Sequence, residues 1–333
     1  MDNVKVKNTI IKEKVGLDIK KIFTYQTFLV ILLILLIVSF GALQEGVMLK
    51  PKVLLGLTAN IVEIGLMSLP MTFIILTGGI DLSIGSTMAL SGIVLGYTYQ
   101  QTNNMTLAII LSIVTGIACG AFNGLIIAKT KISPLVTTLA TFSLYYGIAR
   151  IISGTQIFSV FPDGFKFLAN NKLFNIVPYQ FILFIVLAIV FNVLYKKTVL
   201  GVYLRGMGLN EKAVAFSGIS IAKVKFSIYT LSGLVSTLAA FVYLSRLPAA
   251  KPDMGTNLNI ETITAVVLGG TSIMGGKGSV FGTIISILIL GVLRKGLQLI
   301  GLGGDVYNFV LGIVLVICLI GFSLTEKVKK SNQ

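Results

Sequence analysis

About ten apolar runs, each long enough to cross roughly 30 Å of hydrocarbon, follow one another along this chain. They lie near residues 27–43, 53–77, 83–100, 105–128, 134–152, 179–195, 226–246, 260–275, 280–300 and 306–324. In lipid, a backbone N–H or C=O that is not bonded within its own segment is costly, so such runs dictate helices. The expected fold is all-α: a polytopic membrane protein of about ten transmembrane helices. The first run reads as a span rather than a cleaved leader. A long polar stretch precedes it, it exceeds a usual leader core, and the chain stays apolar afterwards.

Composition narrows the class further. Only 12% of the 333 residues are charged, against about 25% in a soluble domain. The net charge of +15 gathers at the ends, with Lys5, Lys7, Lys12, Lys14, Lys20 and Lys21 before the first run and Lys327, Lys329 and Lys330 after the last. An even number of spans puts both ends on one side, which the positive-inside rule makes cytoplasmic. Lys129, Lys131 and the 196–225 segment then fall on that side too, while Arg294 and Lys295 come out near the other face. The expected division is a basic cytoplasmic segment 1–26, a membrane domain 27–324 and a cytoplasmic tail 325–333. Basic ends of this kind flank spans; a nucleic-acid surface would need a soluble basic domain. Without His, and with Cys119 and Cys318 far apart in apolar runs, neither a metal site nor a disulfide is expected.

Glycine is abundant, at 35 residues, and recurs within spans at Gly116, Gly120 and Gly124. That spacing is read as close helix–helix packing, which small residues permit in lipid. The segment 153–178 reads as a loop on the outer side with a short helix.

Two acids stand out. In LTGGIDLSIGS (76–86), Gly78 and Gly79 suit the end of one helix in a left-handed turn. Asp81 and Ser83 suit the start of the next, where side-chain oxygens accept from free N–H groups. Capping is favoured over direct substrate contact, and a proton relay lacks partners. Glu63 lies near the middle of its run, with Pro70 two turns on. Either it lines an aqueous pathway or it is a protonated acid bonded to a neighbouring helix.

Residues 268–282, LGGTSIMGGKGSVFG, invite a nucleotide-binding reading that fails. A phosphate loop requires G-x-x-x-x-G-K-[ST]. Here Thr271 stands where the first glycine belongs, and Gly278 follows Lys277. The chain is expected to bind no ATP itself, to hold no cofactor and to carry no catalytic residue. Its glycines, Gly269 and Gly270 included, suit a tight helix–loop–helix turn at the cytoplasmic face. The longest segment between runs on that face is 196–225, where Asn210 suits an N-cap and Gly218 a helix end. A helix of that length is unstable alone. It needs either a partner to dock into or a lipid surface to rest on.

Four ordered blocks now carry a family resemblance: TGGIDLSIGS at 77–86, NGLIIAKTKISPLVTTLATF at 123–142, GLNEKAVAFSGISIAKVKF at 208–226 and ITAVVLGGTSIMGGKGSVFGT at 263–283. Together they resemble the permease subunits of ABC importers for monosaccharides, the ribose, xylose, rhamnose and autoinducer-2 group, over about residues 50–322. The resemblance implies a fold like the membrane subunit of the vitamin B12 importer. It implies a place in the bacterial inner or plasma membrane and a second permease copy, as a homodimer or close heterodimer. It also implies a cytoplasmic ATP-binding-cassette ATPase and an extracytoplasmic sugar-binding protein. By the same analogy Gly208, Asn210, Glu211, Ala213, Ala215 and Gly218 form the surface that docks into the ATPase. Glu63, Gly78, Gly79, Asp81, Ser83, Gly269 and Gly270 become pathway or gating positions. The chain departs from the family pattern at Ser133-Pro134 and at Asn259-Ile260-Glu261. The expected function is inward translocation of a monosaccharide or similar polyol-like solute. An ion-coupled secondary transporter is the alternative, with Glu63 and Asp81 its only support. A membrane enzyme of lipid metabolism would need an interfacial catalytic cluster, and none is visible.

Overall fold

The computed structural model describes residues 25–130, 132–174 and 177–331. The basic segment before residue 25, Lys131 and the final residues of the tail lie outside the described residues. The elements are α1 (Tyr25–Leu43), a 3-10 turn (Val47–Leu49), α2 (Pro51–Leu76), α3 (Ile84–Thr102), α4 (Met105–Lys129) and α5 (Pro134–Ser153). Then come α6 (Phe167–Asn170), β1 (Lys172–Leu173), β2 (Val177–Pro178), α7 (Tyr179–Lys197), α8 (Val199–Phe216) and α9 (Ile221–Arg246). The chain closes with α10 (Leu258–Leu268), α11 (Val280–Leu299) and α12 (Gly304–Ser331). The only sheet among the described residues is the antiparallel pair of β1 and β2. A polytopic helical membrane protein is what the apolar runs dictate, and the loop 153–178 carries the short helix α6.

Every predicted run contains a helix, yet not every helix is a full span. Among the described residues, six are long and apolar enough to cross a membrane: α1, α4, α5, α7, α9 and α11. The apolar helix Leu258–Leu268 is shorter. In place of the continuous run 260–275, α10 ends at Leu268. Its 11 residues reach only about 17 Å, roughly half the hydrocarbon thickness. The reason is local. Gly270 has φ +88°, its N–H bonds Val267 O and the Thr271 N–H bonds Val266 O. That is a Schellman turn, which consumes the last free carbonyls and stops the helix. An equivalent turn ends α2, with Gly78 at φ +77° and the N–H groups of Gly78 and Gly79 bonded to Ile75 O and Ile74 O. The helix end expected at Gly78–Gly79 is therefore present. Pro70 lies inside α2, which continues past it to Leu76.

α4 packs closely along α9, and α3 packs against both. Hydrophobic burial between helices contributes little in lipid, so close approach and polar contacts carry association. A Cβ on Gly120 would strike the Tyr229 carbonyl, and one on Gly233 the Gly116 carbonyl. At this depth Ser112 donates to Ser91 O at 2.7 Å, and the Thr237 and Ser91 hydroxyls lie 3.0 Å apart. The stripe Gly116, Gly120 and Gly124 does the packing its spacing implied. Cys119 is buried and, like Cys318, a free thiol.

Candidate functional site

A cavity of about 660 Å³ opens between the end of α9, the start of α10, the last turns of α11 and the first turn of α12. Two buried carboxylates anchor its wall, Glu63 from α2 and Glu261 from α10, at 2% and 1% exposure. Arg246, on the last turn of α9, donates to Glu63 Oε1 from Nη2 at 2.7 Å and from Nε at 3.2 Å. Arg294, on α11, donates from Nη2 to Glu261 Oε1 at 2.5 Å. The Tyr307 hydroxyl donates to Glu261 Oε2 at 3.2 Å, and its ring lies 4.6 Å beneath the Arg294 guanidinium. The acids sit behind while the guanidinium side chains keep 26% and 35% exposure. A carboxylate in such a place needs a paired and hydrogen-bonded partner, and each has one. Lys251 and Asp253 stand 3.6 Å apart on the same wall.

Asp81 is elsewhere. It lies in a buried knot between α3, α4, α5 and α9, and it does not line the cavity. Its Oδ1 accepts from the Ser83 N–H at 2.9 Å and the Ser83 hydroxyl at 2.6 Å, and its Oδ2 accepts from Ser232 at 3.1 Å. Asn123 donates to the Ser83 oxygen at 2.7 Å, and Tyr145 donates to Asn123 Oδ1 at 2.9 Å. Asp81 thus ties the turn before α3 rather than capping the helix amides themselves. Its cap comes from another element: the Gly85 N–H donates to Asn259 Oδ1, from α10, at 2.7 Å. Two helix starts, α3 and α10, meet there with almost no room, since a Cβ on Gly85 would overlap the Gly255 carbonyl.

At the opposite end, about 20 Å along α2 from Glu63, the Gly276 N–H donates to Leu76 O at 2.9 Å. Gly208 is wedged there, because a Cβ on it would overlap Leu76 O and Gly276 N. α8 breaks at Asn210, which has φ −158° and ψ 95° and whose Oδ1 accepts from the Ala213 N–H at 3.0 Å. The short helix after it ends before Gly218, φ +81°. The expected N-cap and helix end are both present. Asn210, Glu211, Ala213, Ala215 and Gly218 are exposed on this projection, and Phe216 is 91% exposed at its tip. Glu211 is held by Lys225 at 2.8 Å.

The comparisons with known proteins follow this architecture. Residues 53–319 match the profile of a family described as "Branched-chain amino acid transport system / permease component". The chain is similar to the "Autoinducer 2 import system permease protein LsrD" of Enterobacter sp. (strain 638), 38% identical over 307 residues, covering 90% of this chain and 93% of the relative. It is 37% identical over 307 residues to the protein of that name from Klebsiella pneumoniae, covering 90% and 92%. It is 35% identical over 309 residues to the one from Escherichia coli (strain K12), covering 91% and 93%. No solved structure matches. The chain belongs to this permease family. It is a multi-pass membrane permease, as its helices and the family match agree.

Of the pathway positions expected in this permease, only Glu63 reaches the cavity. Gly78, Gly79, Gly269 and Gly270 are at helix-ending turns, and Asp81 with Ser83 is in the knot. Sequence reasoning missed Arg246 and met Glu261 only as part of a departure from the family pattern. It found Arg294 only as an exception to the positive-inside pattern, and that exception was the available signal. An Arg where no cytoplasmic loop lies needs a carboxylate, and Glu261 supplies it.

Proposed function

We propose that this permease is the membrane-spanning subunit of an ATP-binding-cassette importer that carries a monosaccharide or similar small polyol-like solute inward. The observation that carries this reading is the projection Asn210–Gly218, held off the bundle with Phe216 at its exposed tip. A one-turn helix with an apolar tip and a capped start is built to sit in another protein, here a cytoplasmic ATPase. Asn210, Glu211, Ala213 and Ala215 form the docking face, while Gly208 acts from beneath as the packed hinge. On this reading both termini are cytoplasmic and the membrane is the bacterial inner or plasma membrane. The cavity between Glu63 and Tyr307 then faces outward. An extracytoplasmic binding protein delivers the solute there, beside the 153–178 and 247–257 loops.

The arrangement is a fold like the vitamin B12 importer's membrane subunit, with about ten crossings. α10 and the 269–279 turn cross together. A second copy, identical or closely similar, completes the pathway. ATP binding closes the ATPase pair, the projections follow, and the bundle shifts between discrete outward and inward arrangements, each favoured by a different ligand state. The relatives' printed name makes autoinducer 2 the first solute to test.

The test is a mild-detergent affinity purification from native membranes, comparing wild type with Phe216→Asp. An ATPase that co-purifies with wild type and is lost from the variant supports the reading. If no ATPase accompanies either, the reading loses its energy source, and ion-driven uptake through the same cavity takes its place.

A further inference from the structure

We infer that the cavity bounded by Arg246, Asn257, Arg294, Gln298 and Tyr307 is a solute-recognition site within the permease itself, selecting an uncharged polyhydroxylated molecule. This rests on the transport reading above but goes beyond delivery by a binding protein, which requires no recognition inside the membrane.

The argument is chemical. The lining holds three cations, Arg246, Arg294 and Lys251, and three anions, Glu63, Glu261 and Asp253, and so sums to zero. Each cation has a carboxylate partner within 3.6 Å. An ionic solute therefore meets no unmatched charge, and to bind either guanidinium it would have to break a pair, stranding a buried carboxylate. An uncharged solute leaves all three pairs intact. What faces the lumen is hydrogen-bonding capacity: two partly exposed guanidinium side chains and the exposed Asn257 and Gln298. A guanidinium is a planar fork of N–H donors, and an amide offers both a donor and an acceptor. Together they suit adjacent hydroxyl groups. Glu63 and Glu261 hold the two forks in register from behind, with Tyr307 under one of them. A site made to bond hydroxyl groups also rejects molecules that lack them, because its polar atoms are then left unpaired. The volume, about 660 Å³, lies within the range of small-molecule sites, 300–1,000 Å³.

The asymmetric wall makes a direct test possible. Asn308, at the start of α12, and Leu247, at the end of α9, line the cavity with exposed side chains and take no part in the hydroxyl bonding, so each can become a reporter. In the full-length chain with Cys119→Ala and Cys318→Ala, Asn308→Cys is alkylated with a charged maleimide in native membranes. Leu247→Cys serves as a second, independent reporter on another element. The probes are autoinducer 2, ribose, xylose, rhamnose, ribose 5-phosphate and leucine, each at tens of millimolar. For a site of millimolar affinity, labelling of both reporters slows by roughly tenfold with at least one of the uncharged polyols. Ribose 5-phosphate and leucine leave the rate unchanged. The inference is overturned if no polyol protects, if the phosphorylated sugar protects as well as ribose, or if leucine protects in their place. It is overturned equally if neither reporter is alkylated, because the cavity is then closed to water. Failure of the ATP-driven reading shows up separately, in the co-purification, and does not alter the protection pattern.

Discussion

Replacing Asp81 by leucine and by asparagine separates two jobs that a buried carboxylate can do. In the leucine variant the Ser83 N–H loses its acceptor, and so do the Ser83 and Ser232 hydroxyls. A hydroxyl can turn to a carbonyl of its own helix, as Ser236 does toward Ser232 O. An amide cannot turn. Stranding the amide costs about 1–3 kcal/mol and losing two hydroxyl bonds about 1 kcal/mol each, together about 3–5 kcal/mol. The asparagine variant keeps an oxygen for Ser83, and its NH2 meets a Ser232 hydroxyl that reverses to accept. Only the charge-assisted part of the bonds is lost, about 1 kcal/mol, and burial of a charge is relieved. For 333 residues an unfolding entropy of about 0.7 kcal/mol/K converts these to melting shifts of about 4–7 °C and about 1 °C. Cys119 is buried at 7% exposure, so a fluorogenic thiol reagent reports the transition in detergent. Uptake should follow the same order. Equal losses in the two variants would refute the hydrogen-bond account and make the charge itself essential; an unaffected leucine variant would refute the cost assigned to the knot.

The ion pairs predict an asymmetry. Arg294→Leu leaves Glu261 buried with its charge unmatched and should cost about 3 kcal/mol, whereas Glu261→Gln leaves a guanidinium that is one-third exposed and should cost less. The double variant should cost less than the sum, which a double-mutant cycle on melting temperature checks. Gly208→Ala should lower the yield of folded permease, measured by size-exclusion chromatography in detergent, because its Cβ has nowhere to go between Leu76 O and Gly276 N. Glu211→Gln should leave melting within about 1 kcal/mol of wild type, since its partner-facing pair is largely a surface one. If it melts far lower, the Glu211–Lys225 pair is holding the projection in place.

The apolar runs determined the helices, because in lipid a backbone has few other ways to satisfy its bonds. Local chemistry likewise determined their ends. Paired glycines stop α2 and α10 in Schellman turns, and Asn210 starts the short helix that Gly218 follows. These signals lie within a few residues of what they control, so a linear reading reaches them. Tertiary structure decided everything that depended on partners far away in the chain. Glu63 found Arg246 across 183 positions, and Glu261 found Arg294 across 33. The Gly85 amide found Asn259 across 174. A lone acid in an apolar run announces that it needs a partner, but periodicity carries no information about which helix brings one. For the same reason the surroundings of Asp81, at a helix start, and of Glu63, in mid-run, were not legible from those positions. Asp81 is closed in by hydroxyls and an amide, and Glu63 stands behind a guanidinium at the wall of a cavity.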